Sequence, residues 1–543
     1  MKNLIKRTLV LILALIMALP LVACGSKKPD DANTLEIYVY EQGYGVDWVN
    51  EIIKLFKEED WVKEKYPQLN ILKPVDNRTM EFGENQLLLG SNKNTYDLLF
   101  SAGIGSYYGS NELLDLTDLV YNETVPGESV TYAEKLNDSV EANYLYYDKK
   151  TDKEKFYAVP WQGGMSAILY NKTRLDDLGF DAPRTTDELI YLCANAKDAN
   201  GKKIPAIIQS NDTQYCNVFL NTWWAQYDGV EGYENFYNGI DKNDQISNKI
   251  FSDYQGRLKA LEVFEDLFLY KNGYIDSASY NDGFMTSQSN FLQGKKGLIH
   301  FNGDWFSQEM KVTIENLKAN NRNVDDIRLL KTPIISAIVE NCTTITGEAG
   351  GTADQELSAL VKAIDENTAT FDSDNNVYKG TGFNVSKTDY NTVYKARYVV
   401  NGTFGNTMGV IPSYAKGKDI AVDFVKFMAT DKALAAYAKA TLGSTLDFDF
   451  DLEQYDAELY NSFPQLNKDR LNYFKSGTIE ILKPAGSFPL SVYGSVAPFR
   501  NTRYYQTFAA TDGTSETPQS MFNKTIEYWT VSNFKTAKDN AGI

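Results

Sequence analysis

The sequence predicts an α/β protein whose chain folds into two closely joined lobes, and three observations lead there. Strand and helix patterns alternate from the start of the chain. At 543 residues the chain is long enough for several domains of roughly 100 to 200 residues each. Yet no Pro/Ser-rich linker divides residues 34–543, so two lobes sharing several chain crossings fit better than a string of separate domains.

The opening alternation is the clearest. Leu35, Ile37 and Val39 alternate with Glu36, Tyr38 and Tyr40, a strand pattern. Residues 46–57 follow with Val49, Ile52, Ile53 and Phe56 at helical spacing, and Trp48 shares a face with Ile52 and Leu55, which places it in the core. Residues 96–100 form a second apolar run that breaks into the small-residue loop 101–105. Repetition of this unit implies a sheet covered by helices. Downstream, Pro183, Thr185 and Glu188 announce a helix over residues 187–197 through a capping box. Leu258, Leu261, Phe264 and Phe268 mark the buried face of a further helix, as Ala421, Phe424, Val425 and Met428 do for another.

At the amino terminus Lys2, Lys6 and Arg7 precede an unbroken apolar run over residues 8–19, which reads as a secretory signal. The run is shorter than the roughly 20 residues that span a bilayer. It ends in Leu21-Val22-Ala23-Cys24-Gly25, which resembles a bacterial lipobox. The resemblance implies a signal peptide at 1–23, a diacylglycerol on the Cys24 thiol, and a protein anchored on the extracytoplasmic face of the cell membrane without spanning it. A plain signal peptide with a coincidental cysteine is the alternative. Residues 24–33 then read as a lipidated polar tether.

The 72 acidic residues outnumber the 54 basic ones, for a formal charge of −18, and losing residues 1–23 would remove three more basic groups. With no basic stripe to meet a phosphate backbone, nucleic acid is not an expected partner. Beyond Cys24 only Cys193, Cys216 and Cys342 remain, an odd number that cannot complete a disulfide framework. Cys193 shares a helix face with Leu189 and Ala196 and is expected to pack. His300 is the only histidine, and no Cys-x-x-Cys or His-x-x-x-His occurs, so no zinc site is expected. Asp372-Ser373-Asp374-Asn375-Asn376 looks like the start of a calcium loop. However, Val377 stands where its glycine belongs and Phe383 where its glutamate does, so it reads as a polar surface loop. Neither a metal nor a cofactor is called for.

Several segments together carry a family resemblance. One runs Tyr157-Ala158-Val159-Pro160, then Ile168-Leu169-Tyr170-Asn171-Lys172, then residues 179–189 with Gly179, Pro183, Thr185, Glu188 and Leu189. A second covers residues 291–305, from Phe291 through Gly294-Lys295 to Gly303-Asp304-Trp305. A third is Ile411-Pro412 with the helix pattern 421–428 behind it. In this order the segments resemble extracellular solute-binding protein family 1, the lipoprotein receptors of ABC importers that include the maltose-binding type.

The resemblance implies a periplasmic-binding-protein-like fold with a hinge between the lobes and ligand in the cleft. Lobe 1 would comprise residues 34–158 and 333–447, and lobe 2 residues 159–332 and 448–543. The three crossings would fall near Val159 to Gln162, Lys331 to Ile335 and Phe448 to Leu452. Partners would be a small ligand and the permease subunits with their ATPase, the membrane being touched through the lipid alone. A monomer is expected, because each lobe must face the permease.

The composition favours a sugar or oligosaccharide as ligand. A sugar offers flat C–H faces and a rim of hydroxyls, so its receptor needs aromatic plates and planar polar groups, and this chain has 36 Tyr and 7 Trp. By the resemblance, Trp305 lies in the cleft and Asp304 accepts hydroxyl hydrogen bonds; a core indole is the alternative for Trp305. Trp161, Gln162 and Gly163 follow the Val159-Pro160 turn at the first crossing. Of the adjacent Trp223 and Trp224 only one can line the cleft, since neighbours on a helix point about 100° apart. Glu41, Gln42 and Tyr44 follow the first strand at its carboxyl end, where open α/β sheets bind ligands, and Ser101 and Tyr107 occupy the matching loop after the second.

Two other readings compete. A secreted glycoside hydrolase would need a pair of carboxylates, and carboxylates are too abundant here for any pair to stand out. A binding protein for a peptide or another small polar solute keeps the fold and changes the ligand. No catalytic residue is assigned.

Overall fold

The computed structural model describes residues 31–41, 43–77, 81–136, 140–141, 144–148, 151–162, 164–212, 214–349, 351–402, 407–443, 448–475, 479–482, 508 and 516–541. Two sheets organise them. The first has five strands, β1 Ile37–Tyr40, β2 Val75–Asn77, β3 Leu98–Ser101, β4 Val159–Gln162 and, from late in the chain, Thr407–Val410. Their order is β2-β1-β3, then Thr407–Val410, then β4. β1 to β3 run parallel, and Thr407–Val410 lies antiparallel to both β3 and β4.

The predicted alternation in β1 does not become alternating exposure. Ile37, Tyr38 and Val39 are all buried, because a parallel strand with neighbours on both sides has both faces covered. Tyr38 stacks on Phe82 with ring centroids 4.8 Å apart. The following helix, Asp47–Glu58, buries Trp48, Val49, Ile52 and Phe56 against this sheet. Leu55, expected on the same face, is only half-buried.

The second sheet holds β5 Ser166–Asn171, β6 Ile207–Ile208, β7 Ile299–Gly303 and β8 Ile327–Leu330, in the order β6-β7-β5-β8. β6 is parallel to β7, while β7 and β8 are antiparallel to β5. The carboxyl ends of β6, β7 and β8 therefore share the end at which β5 begins. Helices α1 Gln214–Asp228 and α2 Gly256–Phe268 pack on it, and Leu258, Leu261, Phe264 and Phe268 are buried as their spacing requires. Residues Ala421, Phe424, Val425 and Met428 are likewise buried, against the first sheet.

Each sheet has its own core. Trp48, Phe100, Trp161, Phe424 and Tyr437 belong to the first, and Trp223, Trp224, Phe264, Phe291 and Phe301 to the second. The chain passes from the first core to the second between Trp161 and Met165, returns between Val400 and Val410, and leaves again between Phe448 and Leu466. Met165 pairs with Gly402 in an antiparallel bridge, so the first two crossings run side by side. Here the structure differs from the sequence reading. Ile334, Ile335, Ile338, Leu357, Leu360, Val393 and Val400, expected in lobe 1, pack in the second core. Trp223 Nε1 donates to Pro333 O at 3.1 Å and holds that segment down, and no composition change marks the true crossing.

Local signals fared similarly. Thr185 accepts the Glu188 N–H at 3.2 Å, but the Glu188 carboxylate takes the N–H of Arg184 rather than that of Thr185. That is half a capping box; the full box occurs at Thr352 and Gln355. Cys193 is fully buried, as its helix face required. Residues 372–377 turn a hairpin between strands Thr370–Asp372 and Val377–Lys379, with Asn376 at φ 53°. Among the described residues no helix is long and apolar enough to cross a membrane, and no group of three or more His, Cys, Asp or Glu could hold a metal ion.

Candidate functional site

A chain of neutral hydrogen bonds fixes the carboxyl end of β7. His300 Nδ1 lies 2.8 Å from Ile208 O on β6, and a carbonyl can only accept, so Nδ1 carries the proton. His300 Nε2 is then an acceptor, and Asn302 Nδ2 donates to it at 3.0 Å. That orientation leaves Asn302 Oδ1 to receive the Gly303 N–H at 2.8 Å. Burial pushes the His300 pKa down to about 4, with the Ile208 bond pulling weakly the other way. Gly303 has a steric reason to be glycine: a Cβ there would stand 2.1 Å from the Trp305 ring, which folds back over it.

Trp305 is 8% exposed and directly follows Asp304, whose carboxylate takes the Tyr44 hydroxyl of the first lobe. The Trp305 ring lies 5.9 Å from that of Tyr215, tilted by 37°. Tyr215 comes from the first turn of α1, and burial, then Glu309 and Asp212, push its phenol pKa up. Glu309 follows on the short helix Phe306–Glu309. Burial raises its pKa from 4.5 to about 7, and Gln288 Nε2 donates to it at 2.6 Å. Three amide side chains of this lobe keep unmet hydrogen-bonding capacity: both polar atoms of Gln209, Oε1 of Gln288 and Oε1 of Gln308 are buried without a protein partner. Buried polar atoms are seldom left so.

The first lobe closes the other side. Gly43 faces Glu309, Gln308 Nε2 donates to Tyr44 O at 3.4 Å, and Tyr44 Oη donates to Asp304 Oδ1 at 3.0 Å. Carboxyl and amide groups on one lobe thereby meet a glycine-rich loop of the other across a seam.

The sequence model of the bacterial extracellular solute-binding proteins matches residues 81–435. This chain belongs to that family. It is similar to the multiple sugar-binding protein of Streptococcus mutans, 28% identical over 162 residues, 30% of this chain and 36% of that protein. It is also similar to the diacetylchitobiose binding protein NgcE of Streptomyces coelicolor, 23% identical over 285 residues, 51% of this chain and 54% of that one. The matches therefore span about a third and about half of the lengths of these curated relatives. The apo form of RafE from Streptococcus pneumoniae has the same fold, with a TM-score of 0.54 at 15% identity over 92% of this chain and 98% of that one. The two-lobe α/β architecture of this solute-binding protein is thus that of its family.

The residues singled out in the sequence scatter. Trp305 directly follows Asp304 at the seam. The Asp304 carboxylate, however, is fully buried and bound by protein groups, so it is no acceptor for a ligand hydroxyl. Tyr44 is spent on Asp304. Trp161 is 1% exposed and lies 5.4 Å from Trp48 and 5.5 Å from Tyr437, in the first core rather than in the cleft. Neither Trp223 nor Trp224 lines the cleft: both are at 0%, with Trp224 Nε1 donating to Asp228 as Trp223 Nε1 does to Pro333. Ser101 is buried beneath Gly83, and Tyr107 is half-buried near Glu84 and Tyr414. Glu41 is half-buried at the end of β1, and Gln162 ends β4 opposite Thr407. Cys24, Gln42 and Gly163 lie outside the described residues.

Sequence reasoning passed over Gln209, Tyr215, Gln288, Gln308 and Glu309. A signal existed for the first. Gln209 directly follows the Ile207–Ile208 strand, the same carboxyl-end position that brought Glu41 and Tyr44 forward.

Proposed function

We propose that this protein is the extracytoplasmic receptor of an ABC importer, that it binds a sugar or oligosaccharide between its lobes, and that it hands this ligand to the permease. The observation that carries the reading is the Tyr215–Trp305 pair of the second lobe, together with unsatisfied amide atoms on Gln209, directly after β6, on Gln288, which bonds Glu309, and on Gln308, which bonds Tyr44 of the first lobe. A carbohydrate presents what such a wall lacks, C–H faces for the rings and hydroxyls that both donate and accept. Support also comes from the sugar-binding names of the two curated relatives. Trp305, Tyr215, Gln209, Gln288 and Gln308 are the proposed contacts, with Glu41 and Gln162 on the first lobe's rim. Anchoring through Cys24 and a monomeric state belong to the same proposal, the former supported by the Leu21-Val22-Ala23-Cys24 pattern.

The test is a thermal-shift screen of the protein against mono- and oligosaccharides, with short peptides and amino acids alongside. Stabilisation by one glycan class, lost in Trp305→Ala and without a hydrolysis product, is expected. Shifts with peptides alone would replace the sugar by a peptide, and release of cleaved glycan would replace the receptor by a hydrolase. Removal of the label from the membrane fraction by Cys24→Ala, after growth with radioactive palmitate, checks the anchor.

A further inference from the structure

Asp304 stands where four parts of the chain meet. It follows β7 in the second lobe. Arg470, on the helix Gln465–Lys475 beyond the third crossing, sets its Nε 2.9 Å from Asp304 Oδ2, and both residues are at 0% exposure. Met165, in the first crossing, donates its N–H to Oδ1 at 3.2 Å, and its carbonyl accepts the Asp304 N–H at the same distance. Tyr44, from the first lobe, adds its hydroxyl to Oδ1 at 3.0 Å.

A carboxylate taken out of water is costly unless hydrogen bonds and an opposite charge compensate it. Here the second lobe and the crossing supply the guanidinium and one N–H, while the opposite lobe adds the Tyr44 hydroxyl. We propose that Asp304 is an interlobe latch, a positioning residue whose buried carboxylate takes the Tyr44 hydroxyl when the lobes close and so biases the protein toward closure.

Opening about the paired crossings withdraws Tyr44 and lets water onto Oδ1; closing trades that water for the tyrosine. The loop is held in register for this trade by Gln308 on Tyr44 O and by Gly43 against Glu309. Because Trp305 is the next residue, whatever seats against its ring sits one peptide bond from the latch. The inference rests on the two-lobe binding fold and not on the chemistry of the ligand.

The experiment measures lobe separation directly in the full chain. Leu88 on the first lobe and Val312 on the second are 69% and 66% exposed, so Leu88→Cys and Val312→Cys can carry spin labels without disturbing a core. Distances are read by pulsed electron paramagnetic resonance without ligand, then over a concentration series of diacetylchitobiose. Tyr44→Phe keeps the ring and removes only the hydroxyl. It is expected to move the unliganded distribution toward longer distances, lowering the closed-to-open ratio by about tenfold, the range of one hydrogen bond to a charged group. Its urea midpoint, followed by the tryptophans of either core, should not change, which separates a latch from a general stability contact.

Identical unliganded distributions in the parent and in Tyr44→Phe overturn the latch. A sugar series that moves neither protein speaks against diacetylchitobiose as ligand and leaves the unliganded comparison to decide the latch.

Discussion

A Cβ on Gly43 would stand 3.0 Å from Glu309 Oε1, across the seam between the lobes, and Gly43 itself is at φ +83°. Both facts bar a side chain. The left-handed conformation costs an L-residue roughly 1 to 2 kcal/mol, and the added methyl must push back either the loop or a carboxylate already held by Gln288. Gly43→Ala is therefore expected to weaken closure. Calorimetric titration with the glycan from the screen should show affinity down by about tenfold, with the melting temperature of the unliganded protein changed far less than the affinity.

Trp305→Ala removes the proposed aromatic plate and the ring that covers Gly303. Loss of such a contact, part burial and part stacking, is expected to cost at least about 2 kcal/mol of binding, roughly thirtyfold in affinity. Trp161→Phe, in the first core, should leave affinity unchanged while lowering stability. Parallel titrations and thermal melts of the two variants check this division of labour between indoles.

How much of this was legible in the residues can be traced to particular positions. The opening strand and helix were, because periodicity is a local property and Trp48, Val49, Ile52 and Phe56 write it out. The Gly303-Asp304-Trp305 turn was legible as a motif but not in its roles: that Asp304 is consumed by Arg470, 166 positions further on, depends on a helix whose sequence carries no sign of it. Trp161, Trp223 and Trp224 looked like plates because an indole reads alike in a core and in a cleft; only tertiary packing tells them apart. Ile334, Leu357, Val393 and Val400 pack in the second core although the sequence places them in lobe 1, since no change of composition marks the crossing between Val400 and Val410.

The ion pair of Arg397 with Asp365 anchors that segment. Arg397 Nη2 lies 2.7 Å from Asp365 Oδ2, its Nε 3.1 Å from Oδ1, and Nη1 donates to Thr332 O at 3.0 Å, with Arg397 almost wholly buried. Arg397→Met fills the space but leaves Asp365 with Lys331 alone and the Thr332 carbonyl without this donor. Breaking one side of a buried pair costs about 3 to 5 kcal/mol, here moderated by Lys331. A lowered urea midpoint seen by the second-core tryptophans, with the first-core signal shifted less, is the expected result.

His300 and Glu309 should pull the pH dependence of stability in opposite directions. His300 is held neutral, its pKa lowered from 6.5 to about 4. Between those values the unfolded chain binds a proton that the folded one does not, so this group's contribution is present above pH 6.5 and is lost as pH falls toward 4. His300→Gln should flatten the acid side of a stability–pH curve while lowering its plateau, because the bonds to Ile208 and Asn302 are disturbed.

For Glu309 the sign reverses. Its pKa is raised from 4.5 to about 7, chiefly by burial, with the Gln288 bond opposing. The folded protein holds the proton that the unfolded chain has released, so the contribution is complete below pH 4.5 and disappears as pH climbs through 7. Gly43 of the opposite lobe covers this carboxyl, so closure too should draw a proton from solution near neutral pH. Calorimetry of ligand binding at pH 7 in buffers of different ionisation enthalpy should reveal that uptake as a buffer-dependent heat. Glu309→Gln, which keeps a planar polar group of the same length beside Gln288, should abolish it. A buffer dependence that persists in Glu309→Gln would assign the proton to another group and remove Glu309 from the closure.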